Sequence, residues 1–490
     1  MRTLLLCLCM VMGSHAAMAK SSIYRMMTGG RILELAQTRQ LTNPDDGEVS
    51  SAAISPDGKY VVYMRVPEVG PQACIMKTSL GRPIVAMSPP RNWKEEGFVG
   101  EVWYPVGRWS WSPDSRLIAF MAAYAPRGKG PEDRIAVLDY SGKFQTSFPL
   151  QDRMRFPWSL TWSPDSRKFT GLFRAGQSEP QMNLLVFDVQ AGSTQTLASG
   201  ETGALDFDSW NEAGSSLDYW VRAPGQETEA KPKAQLRQVN LSTLEDKVIN
   251  EDYHPVWMPS PDGAFGASPG GPVVDIRNRQ TGMDIRIGPG TALGWAPNSD
   301  ILAYQKPIVI EDQSKKRKQE FSALWLAAAE VNPFNHMCAA LDSKKDQPPT
   351  WSDDCLKMAY VSDGKVYLAQ FAWKPITPYD KLDAGLPLTE QEEQSVLMDS
   401  ARAIGEAIGM YHADWDGVYP PGEDFVQELI PYARYKTLFF RPGTQTVAFQ
   451  YFRPAAGLAN PAATVMGVFD VGYQWKVILY ADGHVQIVPK

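Results

Sequence analysis

The 490-residue chain predicts a mainly β fold: a β-propeller, seven blades favoured and six the alternative, followed by a small α+β domain. Three observations predict it. A tetrapeptide of the type Ser-Pro-Asp-Gly recurs seven times, a Trp precedes five of the copies, and beyond residue 378 the apolar spacing turns helical. With 44% hydrophobic residues and 53 aromatics there is ample material for a core, and 39 Gly with 38 Pro make the chain turn-rich. The net charge of −7 is the wrong sign for a polyanion binder, so no nucleic-acid partner is expected.

Residues 1–19 have the pattern of a cleavable secretory signal. Arg2 supplies a positive start, Leu4 to Met12 an apolar run, and Ala17-Met18-Ala19 a small-x-small site, which places cleavage after Ala19. Cys7 and Cys9 sit inside the apolar run without the small-residue setting of a lipoprotein site, so no lipid anchor is expected. No later stretch reaches about 18 apolar residues; Phe321 to Val331 comes nearest. A periplasmic or secreted protein is the expectation. Export leaves Cys74, Cys338 and Cys355, of which Cys338 and Cys355 could close a short loop worth about 3 kcal/mol; three buried thiols is the equal alternative.

The repeat starts at Ser55, Ser112, Ser163, Asn211, Ser260, Ala296 and Ser352, with separations of 57, 51, 48, 49, 36 and 56 residues. Its physics is a tight turn between antiparallel strands: Pro presets φ, Asp bonds its own backbone, and Gly or Ser takes the last corner. Asp114, Asp165 and Asp262 are turn residues on this reading. Trp111, Trp162, Trp210, Trp295 and Trp351 then lie on inner strands and wedge between blades. Third strands are expected at Arg134–Asp139, Leu184–Asp188, Leu236–Val239, Ala323–Leu326 and Val366–Ala369. Four strands and their turns fill about 40–50 residues, one propeller blade. The last blade lacks a fourth strand of its own, so Arg31 to Leu41 is expected to close the ring beside Val366 to Phe371.

These aromatic-Ser-Pro-Asp-Gly units resemble the repeat of TolB-type β-propellers, shared with the propellers of prolyl-oligopeptidase-like proteins. The resemblance spans roughly residues 30–375 and implies a propeller over residues 20–378. That family's best-known member has six blades, against seven motifs here.

Residues 379–490 follow a different pattern. Thr389 with Glu392 is a capping box, and Val396, Leu397, Ala403, Ile404, Ala407, Ile408 and Tyr411 keep one apolar helical face. A second helix over Asp424 to Tyr432, a strand over Thr446 to Phe452 and a hairpin of Gln474–Tyr480 with His484–Val488 complete the segment. The runs Ile404–Tyr411, Asp416–Pro421 and Tyr480–Val485 resemble the globular head of type II secretion pseudopilins. A pilin polymerises through a long N-terminal helix. A propeller stands in that place here, so the resemblance implies a docking or packing module.

The chemical motifs lack their structural contexts. Gly266-Ala267-Ser268-Pro269-Gly270 matches the G-x-S-x-G string, but a strand, Val273-Val274, follows where a nucleophile elbow needs a helix. His254, His336, His412 and His484 form no close-spaced ligand pair. Asp414 with Asp416, and Asp45, Asp46 with Glu48, fall short of an EF-hand spacing, and turn capping is the plainer reading. Lys315-Lys316-Arg317-Lys318 reads as a solvated insertion. No catalytic residue, metal or cofactor is therefore nominated.

A propeller's binding face carries the loops leading into the inner strands. On this reading those loops contain Trp103, Tyr104, Arg108, Arg153, Arg155, Trp158, Tyr253 and His254, types that anchor protein interfaces. The functional expectation is an exported, non-catalytic protein-binding scaffold of the cell envelope, with protein partners and an undetermined oligomeric state. The alternatives are an accessory part of a type II secretion or pilus-like system, and a hydrolase or lyase acting in the propeller funnel.

Overall fold

The computed structural model describes residues 24–490 apart from 44–45, 80, 93–99, 128–130, 151–159, 176–180, 202–203, 223–233, 254–257, 269, 313–316, 331–334, 341–347, 434 and 456. Residues 1–19, read above as a secretory signal, lie outside the described residues. Two compact units divide between Lys374 and Pro375. No described helix is long and apolar enough to cross a membrane.

In the first unit the turn motif does what its chemistry dictates. Ser55 donates its hydroxyl to Asp57 Oδ1 at 2.7 Å and accepts the Tyr60 N–H at 3.0 Å, while the same Oδ1 takes the Lys59 N–H at 3.0 Å. The pattern repeats at Ser112–Asp114, Ser163–Asp165, Ser260–Asp262 and Ser352–Asp354, each with the Ser–Asp bond at 2.6 Å. Burial works against the Asp57 and Asp262 carboxylates, but these bonds outweigh it and hold both below the usual range.

Each motif joins the first two strands of a four-stranded antiparallel blade. Blade 1 is Glu48–Ile54, Tyr60–Val66, Gln72–Lys77 and Ile84–Met87. Blade 2 is Val102–Trp111, Leu117–Ala125, Glu132–Asp139 and Phe144–Pro149. Blade 3 is Leu160–Trp162, Lys168–Ala175, Gln181–Asp188 and Ser193–Glu201. Blade 4 is Leu205–Trp210, Ser216–Arg222, Ala234–Asn240 and Asp246–Tyr253. Blade 5 is Met258–Pro259, Phe265–Ala267, Gly270–Asn278 and the first part of Asp284–Trp295.

The second part of Asp284–Trp295 opens blade 6, which continues with Ile301–Asp312, Arg317–Ala328 and His336–Ala340. Thr291 pairs with Gly270 on one side and Gln305 on the other, so one strand serves two blades. That sharing is the physical reason for the shortest repeat separation. Blade 7 is Thr350–Trp351, Lys357–Ser362 and Lys365–Pro375, completed by Arg31–Gln40 from the other end of the chain. The Leu41 N–H meets the Val366 carbonyl at 2.8 Å at this closure. Arg25–Thr28 adds a fifth strand that the sequence pattern did not suggest. The described residues thus form a β-propeller of seven blades, followed by a small helix-containing unit.

Two devices recur at the joints between blades. The inner Trp donates its indole N–H to a carbonyl of the preceding blade, always two residues before that blade's motif: Trp111 to Ala53 (3.1 Å), Trp162 to Ser110 (3.0 Å), Trp210 to Thr161 (3.2 Å) and Trp295 to Met258 (2.9 Å). Trp351 is the exception. It stacks on Phe371 at 5.3 Å, and its N–H finds no acceptor among the described residues.

The second device is the motif's fourth residue, which adopts positive φ. Where it is Ser, its hydroxyl accepts the N–H of the preceding blade's third motif residue: Asp57 to Ser115 (2.9 Å), Asp114 to Ser166 (3.1 Å) and Asp262 to Ser299 (2.9 Å). Ser is therefore an inter-blade acceptor, and more than a tolerated stand-in for Gly. Cys355 takes this position in blade 7 at φ 56°, with the Asn298 backbone N–H hydrogen-bonded to it.

Of the two readings of the cysteines, the structure holds the buried thiols. Cys355, Cys338 and Cys74 are free, buried thiols, and Cys338 Sγ is hydrogen-bonded to the Ala340 carbonyl at 3.3 Å. Burial pushes all three thiols up to about 11.

The second unit holds helices α1 (Pro378–Asp383), α2 (Glu390–Asp414) and α3 (Phe425–Ala433). Its sheet runs Phe449–Tyr451, Val465–Phe469, Trp475–Tyr480, Val485–Pro489 in consecutive antiparallel order. The Thr389–Glu392 capping box is formed, and Leu397, Ile404, Ile408 and Tyr411 of α2 pack with Leu429, Phe439, Phe469 and Leu479. A Cβ at Gly405 would come within 3.0 Å of Leu479, so glycine lets the helix sit close on the sheet. Gly467 seats the Phe449 ring, and a Cβ there would stand 2.0 Å from it. This Gly also breaks the apolar alternation, which hid Val465–Phe469 from sequence reading.

Candidate functional site

Among the nominated residues, side chains are described for Trp103, Tyr104 and Tyr253. Trp103, Tyr104 and Arg108 belong to the inner strand Val102–Trp111, not to a loop leading into it, because register shifts at Gly107 let the strand run on past Pro105. The Arg108 side chain, together with Arg153, Arg155, Trp158 and His254, lies outside the described residues. Tyr104 is half-buried. Tyr253 is buried at the end of blade 4, where its hydroxyl donates to Asp208 Oδ1 and accepts from Arg279 Nη2 at 3.2 Å. Burial, then the Asp208 carboxylate, raises the Tyr253 phenol far above its ordinary range.

Around Trp103, blade 2 builds an aromatic cluster. Trp103 stacks on Tyr124 at 4.4 Å and meets Phe144 at 5.5 Å, and the Arg134 guanidinium lies over both Trp103 (5.9 Å) and Tyr124 (5.6 Å). Arg134 is held from behind by Ser147 at 3.0 Å and Glu132 at 3.4 Å. Phe144 remains 46% exposed. Four anchors of this kind with fixed geometry can receive an apolar or cation-bearing side chain.

A second constellation occupies the joint between blades 4 and 5. Each of the other six joints has an apolar cluster, such as Val137, Phe148, Trp162 and Phe169 between blades 2 and 3. Among the described residues the 4/5 joint has none. Blade 5 carries Pro259 where the Trp would stand and Gly263 where the Ser would stand, so both inter-blade devices are missing. Asp206, Asp208, Asp218, Tyr253 and Arg279 occupy this region.

Burial pushes the Asp206 carboxyl up to about 6, with the Asp208 charge adding to the effect; its one hydrogen bond is from the adjacent Phe207 N–H at 2.8 Å. Burial also raises Asp218, although Gln238 donates to it at 2.9 Å. The Asp206 carboxyl can therefore exchange protons near neutral pH. No group of three or more His, Cys, Asp or Glu among the described residues is arranged to hold a metal ion.

Ser268 and the described histidines have structural roles. Ser268 accepts the Asp275 N–H at 2.8 Å and is followed by the blade 5 strand Gly270–Asn278, with no helix to form a nucleophile elbow. His336 faces the Tyr304 hydroxyl at 3.2 Å in a buried setting that lowers its pKa. His484 bonds Asp482 at 2.5 Å and stacks on Tyr480 at 4.1 Å. It borders an open groove of about 610 Å³ between Arg402, Gly405 and Glu406 of α2 and the turn Asp482–Val485. Two of the runs quoted for the pseudopilin resemblance, far apart in sequence, line this groove together.

No protein-family model and no curated protein matches the chain. Among solved structures, an oligogalacturonate lyase from Vibrio parahaemolyticus is similar at 12% identity and TM-score 0.43, over 71% of this chain and 98% of that one. TolB from Acinetobacter baumannii is similar at 13% identity and TM-score 0.32, over 65% and 83%. The β-propeller domain of the Trilobed protease from Pyrococcus furiosus gives 12% identity and TM-score 0.36, over 67% and 96%.

Proposed function

We propose that the chain is an exported, non-catalytic protein-binding scaffold of the cell envelope, with the propeller as its platform and residues 379–490 as a docking module. The observation that carries this reading is the blade 2 cluster. Trp103, Tyr124 and Phe144 with Arg134 offer a preorganised, partly exposed set of the residue types that dominate interface energetics. The TolB-like repeat and the signal-like segment of residues 1–19 support an envelope setting.

The test is chemical crosslinking of the full chain in envelope extract, with Phe144→Ala and Arg134→Ala as variants. Loss of one defined crosslinked species in both variants, at unchanged thermal stability, is the expected result. A crosslinking pattern indifferent to both variants would sink the propeller platform. A second reading, an accessory of a type II secretion or pilus-like system, draws on helix α2 packed against an antiparallel sheet in the carboxy-terminal unit. It expects a pilin-like protein among the crosslinked species.

A further inference from the structure

We infer that the end of α2 and the loop after it form a docking surface for a basic segment of another protein. The inference rests on the protein-binding reading above and assigns that role a place and a chemistry. Residues 375–490 hold eight Lys and Arg against fourteen Asp and Glu, so −6 of the chain's −7 net charge lies in this unit. Most of its acids near the helix start and sheet are engaged. Glu390 accepts the Trp475 indole at 2.6 Å, Glu392 pairs with Lys381 at 2.7 Å, Glu393 with Arg441 at 2.9 Å, and Asp470 with Lys490 at 2.5 Å.

The other end of α2 is built differently. Glu406, Asp414, Asp416 and Glu423 are exposed, and none has a side-chain hydrogen bond or ion pair among the described residues. Asp414 is the last residue of the helix, where the helix dipole already favours cations. Asp416 follows at φ 51°, a conformation unfavourable for a side chain. The fold gains nothing from these charges.

Between them stand three exposed apolar side chains, Met410 (55%), Trp415 (54%) and Val418 (48%). Trp415 is fixed in place: its ring stacks on Tyr411 at 5.5 Å, its backbone N–H reaches the Tyr411 carbonyl at 3.0 Å, and its own carbonyl takes the Val418 N–H at 3.0 Å. His412 packs on Tyr419 at 4.4 Å and holds the loop from beneath. An exposed, anchored Trp flanked by the uncompensated Asp414 and Asp416, in a segment that also exposes Glu406 and Glu423, matches one kind of occupant: an apolar side chain carried on a Lys- or Arg-rich segment, its aliphatic part on Trp415 and its cations on these carboxylates.

The experiment titrates the full chain into a fluorescein-labelled peptide of alternating Lys/Arg and Leu, with a Glu-for-Lys/Arg peptide as control. Binding should be confined to the basic peptide and should weaken between 50 and 300 mM salt, by an amount on the order of tenfold. Trp415→Ala should weaken it about tenfold or more, and the combined D414N/D416N/E423Q variant should do the same while leaving the Trp in place. Equal binding by wild type and both variants, or binding of the acidic peptide, overturns the inference. So does loss of peptide binding on adding Ca²⁺ with a matching calorimetric Ca²⁺ signal, which would make the acids a metal site. If the wild-type chain binds no basic peptide while the blade 2-dependent crosslinks are present, this surface fails and the scaffold reading stands. If the peptide binds as expected but no crosslinked species depends on blade 2, the platform fails and this surface stands.

Discussion

The joint between blades 2 and 3 and the joint between blades 4 and 5 come from the same repeat and solve the same problem in opposite ways. At the first, Trp162 reaches back to the Ser110 carbonyl, Ser166 receives the Asp114 N–H, and Phe148, Phe169 and Phe187 pack edge and face between the sheets. At the second, Pro259 and Gly263 replace the Trp and the Ser, and three carboxylates, a phenol and a guanidinium take the place of the rings. A ring closed by seven joints can carry one polar joint, because the other six and the outer strand Arg31–Gln40 of blade 7 keep it closed. The apolar joints hold the fold, and the polar one is where pH can act on it.

The contrast can be broken most directly at Trp162. Trp162→Ala removes a ring that is 5% exposed, its 5.0 Å contact with Phe169 and its bond to Ser110. It should cost about 3–5 kcal/mol in urea unfolding. Pro259→Ala at the equivalent place in blade 5 should cost less than about 1 kcal/mol. Similar losses at the two sites would remove the distinction between the joints.

Asp206 sharpens the comparison from the other side. Its folded pKa of about 6 lies above the ordinary carboxylate value, so the folded state favours the neutral acid. Its contribution is therefore favourable at low pH and is lost as pH rises from about 4 through 6, to at most about 3 kcal/mol. Asp206→Asn should be more stable than wild type at pH 7.5, and the difference should vanish near pH 4. A variant less stable than wild type at both pH values would mean that the carboxylate is held in its charged form.

A smaller effect than at Trp162 or Asp206 is expected at Ser166. Ser166→Ala leaves the Asp114 N–H without its acceptor and keeps a side chain at φ 60°, at a cost of about 1–2 kcal/mol. Ser166→Gly loses the same bond but relaxes the backbone, so its cost should be smaller. If Gly proves worse than Ala, relief of the positive-φ backbone is not what separates the two variants.

Much of this architecture was legible before any coordinates. The seven motifs, the inner tryptophans and the capped helix α2 rest on local chemistry that repeats or caps within a few residues, and the ring closure by Arg31–Gln40 follows from a last blade one strand short. The strand shared by blades 5 and 6 was visible only as a short spacing. The candidate sites were less legible. Tyr253 was picked as a surface aromatic and is buried against Asp208, while Arg134, Tyr124 and Phe144 were passed over because their partner Trp103 is some twenty to forty residues away in sequence. Asp206 and Asp208 gave no motif signal at all; alternating Asp residues beside a Trp look like an ordinary half-exposed strand.

By itself, the sequence determined the turn, the strand pair around it and the number of times they occur, since Pro, Asp and Ser act on atoms within five residues of themselves. Only the tertiary structure decided which joint is polar, which thiol becomes an inter-blade acceptor and which acids remain unpaired. Those are properties of two surfaces brought together, and neither surface records its neighbour in its own spacing.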